Sequence, residues 1–362
     1  VLEELHCRFI SLERRENARI KNSGQQRWVL LSSWLDGPPV VFESAESETQ
    51  SVAFLRIRKF YAAKFGGCVY ELGVMTVIMN PSAHSERAQR SLDAIRRFAA
   101  GADLQFTTGP GDARRMAAEA ARAGAEVVVA CGGDGTVSEV ANGLVGTTTA
   151  LGVMPIGTMN VFSKELDIPA DLDAAWQVIA SGGVREIDLP EANGAHFIQL
   201  AGVGLDAQVV KETTWESKKR LGPLSYIISA AQIASRVPPA LRVDTGGAVH
   251  EGSFVLIGNG RYYGSKLVLF PNARPDDGKL DVLVFKNLGY LDIARYVGGV
   301  LIGHHTDLAD VEYFQTSEME VTSAAPVPVE LDGELFGDVP VRFRMGARLR
   351  VCAPQGRILN GE

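Results

Sequence analysis

The chain has 362 residues, a net charge of −7, and 46% hydrophobic and 22% charged residues. That size and balance fit a globular protein of two ordinary domains with a sizeable core. The acidic excess argues against nucleic acid as a main partner and against adhesion to anionic membranes by overall charge, though a local basic patch could still act. Cys7, Cys68, Cys131 and Cys352 form no CxxC pair, which speaks against a disulfide framework or zinc site and points to a reducing compartment. No apolar run reaches the ~18–20 residues of a membrane span. No basic stretch followed by an apolar core marks a signal peptide.

Residues 1–72 mix charge, Gln, Ser and isolated aromatics without sustained periodicity, and 43–51 is polar throughout. This part reads as a poorly ordered extension or upstream sequence, with the globular part starting near Met75. From there the pattern becomes regular. Residues 76–79 form an apolar strand that stops at Asn80, Pro81, Ser82 and Ala83. A helix follows over 85–99, with Leu92, Ile95 and Phe98 on one face. A strand is expected over 104–108, and Asp112 is placed to cap a helix running to Ala123.

Residues 125–131 are a β-branched run that reads as a buried strand. It feeds Gly132, Gly133, Asp134, Gly135 and Thr136, and a helix start is read at 137–144. A strand, a glycine turn and a helix N-terminus make an anion-binding corner, because glycines admit close backbone approach and the helix N–H groups face the anion. A carboxylate there suits a hydrated Mg²⁺. A plain packing turn is the competing reading. Residues 149–155 are another strand, followed by a turn at Gly157, Thr158, Met159 and Asn160, and a helix lies around 174–181. Alternating strands and helices imply a parallel sheet covered on both faces, with ligands beyond the strands' carboxyl ends. Three polar turns sit at such ends.

Beyond Gly183 short strands dominate: 197–200, 241–244, 252–257, 279–285, 319–322, 327–331, 341–343 and 349–351. Helices interrupt them at 222–236 and 291–302. This texture suggests a β-sandwich-like second domain over 185–355, after an α/β domain over 75–184.

Gly132 to Thr136, the turn Pro155-Ile156-Gly157-Thr158-Met159-Asn160 and Asn80-Pro81 stand in an order and spacing that resembles the diacylglycerol kinase catalytic-domain family. The family includes bacterial lipid kinases and sphingosine and ceramide kinases, and is distantly similar to NAD kinase and phosphofructokinase. The likeness continues through Gly202 to Ala207, Pro275 to Asp281, and Leu331, Asp332, Gly333 and Glu334, covering about 75–355. It implies an ATP- and Mg²⁺-dependent lipid kinase, most naturally one that makes phosphatidic acid from diacylglycerol. It implies phosphate contacts from Asn80, Pro81, Ser82, Ala83 and His84, and from Gly132, Gly133, Asp134, Gly135, Thr136, Val137, Ser138 and Glu139. Thr107, Gly157, Thr158 and Asn160 complete the nucleotide set. The resemblance also implies a bound Mg²⁺ held by Asp277 with the backbone near Arg274 and Lys279, Asp134 belonging to a metal network, and a general base that is either Asp332 or Glu334. A lipid substrate at a membrane surface, a cytoplasmic site of action with peripheral membrane access, and no nucleic-acid partner complete the expectation. The oligomeric state, a homodimer included, stays open.

Simpler readings stand beside these. Asp277-Gly278 and Asp332-Gly333 are also common hairpin turns. Asp206 is either near the acceptor end of the cleft or an ordinary turn aspartate. Lys211, Lys218, Lys219 and Arg220, before the apolar run 221–234, are either a solvated turn or a membrane-docking element. His304 and His305 read as structural or surface residues. Many relatives carry aspartate directly after the Asn of the Gly157–Asn160 turn, where this chain has Val161. NAD kinase, another sphingoid or lipid kinase, or a non-catalytic nucleotide- or lipid-binding regulator are the alternatives.

Overall fold

The computed structural model describes residues 27–30, 40–45, 54–59, 61–65, 68–72, 74–81, 86–99, 102–212, 239–264 and 267–354. Before residue 74 it has β1 (Arg27–Leu30), β2 (Val40–Ala45) and β3 (Phe54–Lys59) in one antiparallel sheet, and β4 (Tyr61–Phe65) paired with β5 (Cys68–Leu72).

The next part alternates strand and helix. β6 (Met75–Met79), α1 (Glu86–Phe98), β7 (Asp103–Phe106), α2 (Asp112–Arg122), β8 (Val127–Gly132), α3 (Asp134–Gly143) and β9 (Ala150–Pro155) follow in order. The four strands are parallel in the order β9-β8-β6-β7. β6 and β9 are buried along their whole length, as β-branched and apolar runs covered on both faces must be. α4 (Val161–Glu165) and α5 (Leu172–Ala180) complete this half. Phe98 of α1 stacks on Trp176 of α5 at 5.4 Å between ring centroids.

The second half comprises β10 (Val184–Ala192), β11 (Ala195–His196), β12 (Leu200–Val203), α6 (Leu205–Glu212), β13 (Leu241–Asp244), β14 (Val249–Gly252), β15 (Phe254–Gly258), β16 (Tyr262–Tyr263), β17 (Leu267–Val268) and β18 (Leu280–Phe285). α7 (Tyr290–Ile302), β19 (Val311–Thr316), β20 (Glu318–Ser323), β21 (Pro328–Leu331), β22 (Glu334–Asp338) and β23 (Val341–Cys352) end it. One antiparallel sheet runs β19-β18-β15-β12-β21-β22. It faces β13, β20 and β23 across a shared core in which Val203, Val255 and Val282 meet Val243, Met319 and Phe343. The architecture is therefore an α/β domain followed by a β-sandwich-like domain. The sandwich and the parallel sheet are joined by β23, which pairs antiparallel with β10 and β20 and sets Val351 opposite Leu151 of β9. Leu349, Val351 and Cys352 lie in the same core as Met75 and Val128.

Several expected elements differ. Asp134, Gly135 and Thr136 are not in the turn but form the first turn of α3, with Gly133 as its N-cap. Asp112 is not the cap of α2. Gly111, at φ 82°, holds that position, and the Asp112 carboxylate turns back to accept from Thr108 N at 2.8 Å, Thr108 Oγ1 and Gly109 N. Thr108 draws its pKa down to about 2. Residues 197–199 are not a strand and β12 starts only at Leu200, because the N–H groups of Ile198 and Gln199 bond to the Asp332 carboxylate instead of a ladder, with Leu200 N–H joining them at the strand start. The two segments expected around Gly346 are one strand. The register shifts between Leu189 and Glu191, where Met345 and Gly346 of β23 stand opposite the single residue Pro190 of β10, and a Cβ on Gly346 would stand 3.0 Å from Leu189 O. The helix expected over 222–236 and the basic residues Lys218, Lys219 and Arg220 lie outside the described residues.

Candidate active site

The carboxyl ends of β6, β7, β8 and β9 deliver Asn80, Thr107, Gly133 and Gly157 to one edge of the sheet. The Asn80 side chain donates to Thr136 Oγ1 at 3.2 Å, and its backbone N–H reaches Cys131 O. Thr107 is buried and its N–H donates to Met79 O. Gly157 and Ile156 N–H both donate to Gly132 O at 3.2 Å. The two glycine turns touch backbone to backbone: a Cβ on Gly157 would stand 2.4 Å from Gly133 Cα. A Cβ on Gly132 would meet Thr136 at 2.4 Å, whereas one on Gly135 would find nothing nearer than Glu334 Oε1 at 4.0 Å. Gly133 has no side chain to cap α3, so the first-turn N–H groups of that helix face the space between the turns.

Asn160, at φ 48°, begins α4 and bonds back to Gly157 O at 2.9 Å. The carboxylate at that end of α4 comes from Asp134, which accepts from Phe162 N at 3.2 Å. Burial pushes its pKa up, and N–H bonds from Phe162, Val161 and Asn160 oppose that. Val161 thus contributes a backbone donor to Asp134.

A cavity of about 380 Å³ opens beside these turns. Of the residues the sequence singles out, Asn80, Thr107, Gly135, Thr136, Glu139 and Glu334 line it. Thr108, Gly109, Pro110 and Ala113 line it too and were not anticipated. The stretch Thr108-Gly109-Pro110-Gly111 carries the loop signal that could have drawn attention to them. Val137 is instead core, Thr158 is exposed, and Pro81 is exposed. Glu139 grips the start of α2: its two oxygens accept from Gly111 N and Ala113 N, both at 3.0 Å. Ser82, Ala83 and His84 lie outside the described residues.

Asp332 and Glu334 are set apart by the chain. Leu331 pairs with Glu334, so Asp332 (φ 50°) and Gly333 (φ 85°) form a two-residue hairpin turn with both residues left-handed. Asp332 turns inward. Its carboxylate accepts from Ser138 Oγ and Ile198 N at 2.8 Å, Gln199 N at 2.9 Å and Leu200 N at 3.2 Å. Burial raises its pKa and these bonds oppose that. Glu334 is exposed and faces the cavity.

The named metal residues fall into two groups by their contacts. Asp134 belongs to the glycine turns. Asp277 lies in a turn where its carboxylate accepts from Lys279 N at 3.0 Å, while Gly278 N donates to Asp188 Oδ2 at 2.7 Å. Burial raises the Asp277 pKa, and the charges of Asp188 and Asp276 push the same way. Arg274 is exposed, and Lys279 Nζ donates to Gln315 Oε1. Among the described residues no three His, Cys, Asp or Glu side chains converge as a closed metal cage. His305 is buried on Leu269 O, and His304 pairs with Asp307 at the surface. Among the described residues no helix is long and apolar enough to cross a membrane.

Comparison with known proteins supports the same architecture. The family model described as "Diacylglycerol kinase catalytic domain" matches residues 74–192, and that described as "YegS C-terminal NAD kinase beta sandwich-like domain" matches 200–354. The chain is 31% identical over 298 residues to a diacylglycerol kinase of Staphylococcus aureus (strain bovine RF122 / ET3-1), covering 79% of this chain and 94% of that protein. It is 30% identical over 277 residues to one of Bacillus subtilis (strain 168), covering 74% and 91%. A solved structure from Bacillus anthracis str. Sterne is similar at 26% identity and TM-score 0.67, over 78% of this chain and 95% of that one.

Proposed function

We propose that this chain, which belongs to the diacylglycerol kinase catalytic-domain family, transfers the γ-phosphate of ATP to a lipid hydroxyl, with diacylglycerol as the acceptor and phosphatidic acid as the product. The observation that carries this reading is the placement of Glu334. Its carboxylate faces a cavity that Asn80, Gly135 and Thr136 line on the phosphate side. Leu335 and Phe336, the next residues on β22, are exposed apolar side chains, which suits an acceptor with acyl chains better than a dinucleotide.

The close glycine turns and the uncapped start of α3 fit a triphosphate. In phosphoryl transfer the protein mainly positions its substrates and neutralises charge. Thr107, Asn80 and the α3 N–H groups would hold the nucleotide. Glu334 would take the hydroxyl proton as the acceptor oxygen bonds to the γ-phosphorus and ADP leaves. Asp332 has its oxygens engaged by four donors, so we assign it an anchoring role.

Mg²⁺ usually binds through one or two carboxylates plus phosphate oxygens rather than a protein cage. Asp134 beside the glycine turns fits that pattern, as does Asp277 next to Asp188 and Asp276, where a cation would relieve like-charge repulsion. A bound ion there would supply charge neutralisation on the phosphoryl oxygens.

The test is transfer of label from γ-labelled ATP to a panel of diacylglycerol, sphingoid base, ceramide and NAD. Labelled phosphatidic acid is the expected product. Labelled NADP, or no product with any acceptor, would overturn the reading.

A further inference from the structure

The underside of the Asp332-Gly333 turn holds a second pair of acidic side chains, which the chemistry above does not use. Glu330, on β21, has no exposed surface. Its Oε2 accepts from Gly333 N at 2.6 Å, while its Oε1 is buried with no donor in reach. Asp206, in the first turn of α6, accepts from Tyr263 Oη at 2.8 Å through Oδ1. The remaining oxygens of the two groups both lie over Gly202, which pairs with Glu330 across β12 and β21. A Cβ there would stand 2.9 Å from Glu330 Oε1 and 3.2 Å from Asp206 Oδ2. Only glycine leaves room for both.

Two ionised carboxylates cannot face each other in a buried site. A buried oxygen with no donor is equally costly. One proton placed between Glu330 Oε1 and Asp206 Oδ2 removes both problems at once. We infer that Asp206 and Glu330 share a single proton, and that Glu330, through the Gly333 N–H, is a positioning residue for the Glu334 carboxylate. Burial and the neighbouring charge of Asp206 both push the Glu330 pKa well up, with Asp332 adding to the effect. Burial pushes the Asp206 pKa up as well, so the proton is held between the two groups. The resulting chain runs from Tyr263 on β16 through Asp206 and Glu330 to Gly333, one residue before Glu334. Asp332 fixes the other half of the same turn, so the hairpin carrying Glu334 is held at both central residues.

The positioning role rests on the reading of Glu334 as the base; the shared proton does not. Glu330→Gln keeps an oxygen for Gly333 N–H and an N–H for Asp206, whereas Glu330→Leu removes both. Displacing a catalytic group by ~1 Å can cost about 100-fold in rate, so Glu330→Leu is expected to lower kcat about 100-fold with KM for ATP little changed. Glu330→Gln should stay within about threefold of wild type. Wild-type kcat in Glu330→Leu, or equal impairment of both variants, overturns the positioning role. The proton is read separately by infrared spectroscopy at neutral pH. The carbonyl stretch of a protonated carboxyl should be present in the wild type and lose intensity in Glu330→Gln, and its absence from the wild type refutes the shared proton even if Glu330→Leu does not fold. If wild type phosphorylates no lipid, the kinase reading fails while the infrared result still decides the pair.

Discussion

Ser138 Oγ donates to Asp332 Oδ2 at 2.8 Å, joining residues 194 positions apart in the chain. Ser138 is on α3, the helix that opens at the glycine turn; Asp332 is in the hairpin that carries Glu334. The same carboxylate gathers three N–H groups of the segment leading into β12. Removing it leaves those donors unpaired, at about 1–3 kcal/mol for each that water cannot reach. Asp332→Ala should therefore lower stability by about 3 kcal/mol or more, seen as a lower denaturant midpoint at unchanged slope. Asp332→Asn should cost less, since Asn tolerates the left-handed backbone and keeps one acceptor oxygen. A midpoint unchanged in Asp332→Ala would show that the anchor carries no load.

Glu334 makes the opposite prediction. It is exposed, and exposed substitutions usually stay within about 0.5 kcal/mol of wild-type stability. Loss of a general base costs about 10²–10⁴-fold in rate. Glu334→Gln should thus keep the wild-type melting temperature and ATP affinity while kcat falls by about that range. A fully active Glu334→Gln enzyme would remove the residue from the mechanism. The contrast with Asp332, where stability falls along with activity, separates the base from the anchor.

The glycine turns give a paired test. At Gly157 a methyl group would press on the Gly133 backbone at 2.4 Å, which cannot rotate away, so Gly157→Ala must separate the two turns. Overpacking of this kind costs about 1–3 kcal/mol, and KM for ATP should rise with it. At Gly135 an added Cβ would find nothing beyond its own helix backbone and chain neighbours closer than Glu334 Oε1 at 4.0 Å, and the position lines the cavity. Gly135→Ala should fold as well as wild type yet bind ATP less tightly. Titration of nucleotide against both variants, alongside thermal melts, checks this; equal melting temperatures for the two would contradict the backbone contact.

The parallel sheet was legible because its strands are uninterrupted apolar runs, such as residues 127–131, that end in Gly, Pro or Asn. The glycine turns at the carboxyl ends of β8 and β9 followed from local spacing. What sequence could not show was the division of labour within Asp332-Gly333-Glu334. Both acids sit in the same hairpin, and only the partners at Ser138, Ile198, Gln199 and Leu200, all distant in sequence, turn Asp332 inward. The strand expected up to Leu200 was misplaced for the same reason, since apolar residues there suggest a ladder while a remote carboxylate takes their N–H groups. Glu330 was invisible as a functional candidate: it alternates with Val329 and Leu331 in an ordinary strand pattern, and only burial opposite Gly202 sets it apart. Residues 311–316, which form β19, carry Glu, Gln and Thr among their aromatics and gave no clear alternation. They pair with β18 as the edge strand of its sheet, where one side tolerates polar groups.

Asp310 sets a pH dependence away from the site. The Arg295 guanidinium beside it, with further bonds from Tyr296 Oη at 2.6 Å and Asn287 Nδ2 at 2.8 Å, holds its carboxyl below the usual range. A carboxyl whose folded-state pKa is depressed binds fewer protons in the native state than in the unfolded chain. Its contribution to stability is therefore complete above the unfolded-state pKa of about 3.9 and is lost as pH falls towards the folded-state value. Asp310 ties the loop after α7 to the helix itself through Arg295 and Tyr296. Comparing wild type with Asp310→Asn by denaturant titration should give a stability difference that is constant between about pH 5 and 8. The difference should shrink steadily below about pH 4. A difference that persists unchanged at low pH would mean that packing, and not the charge on Asp310, holds α7 to this loop.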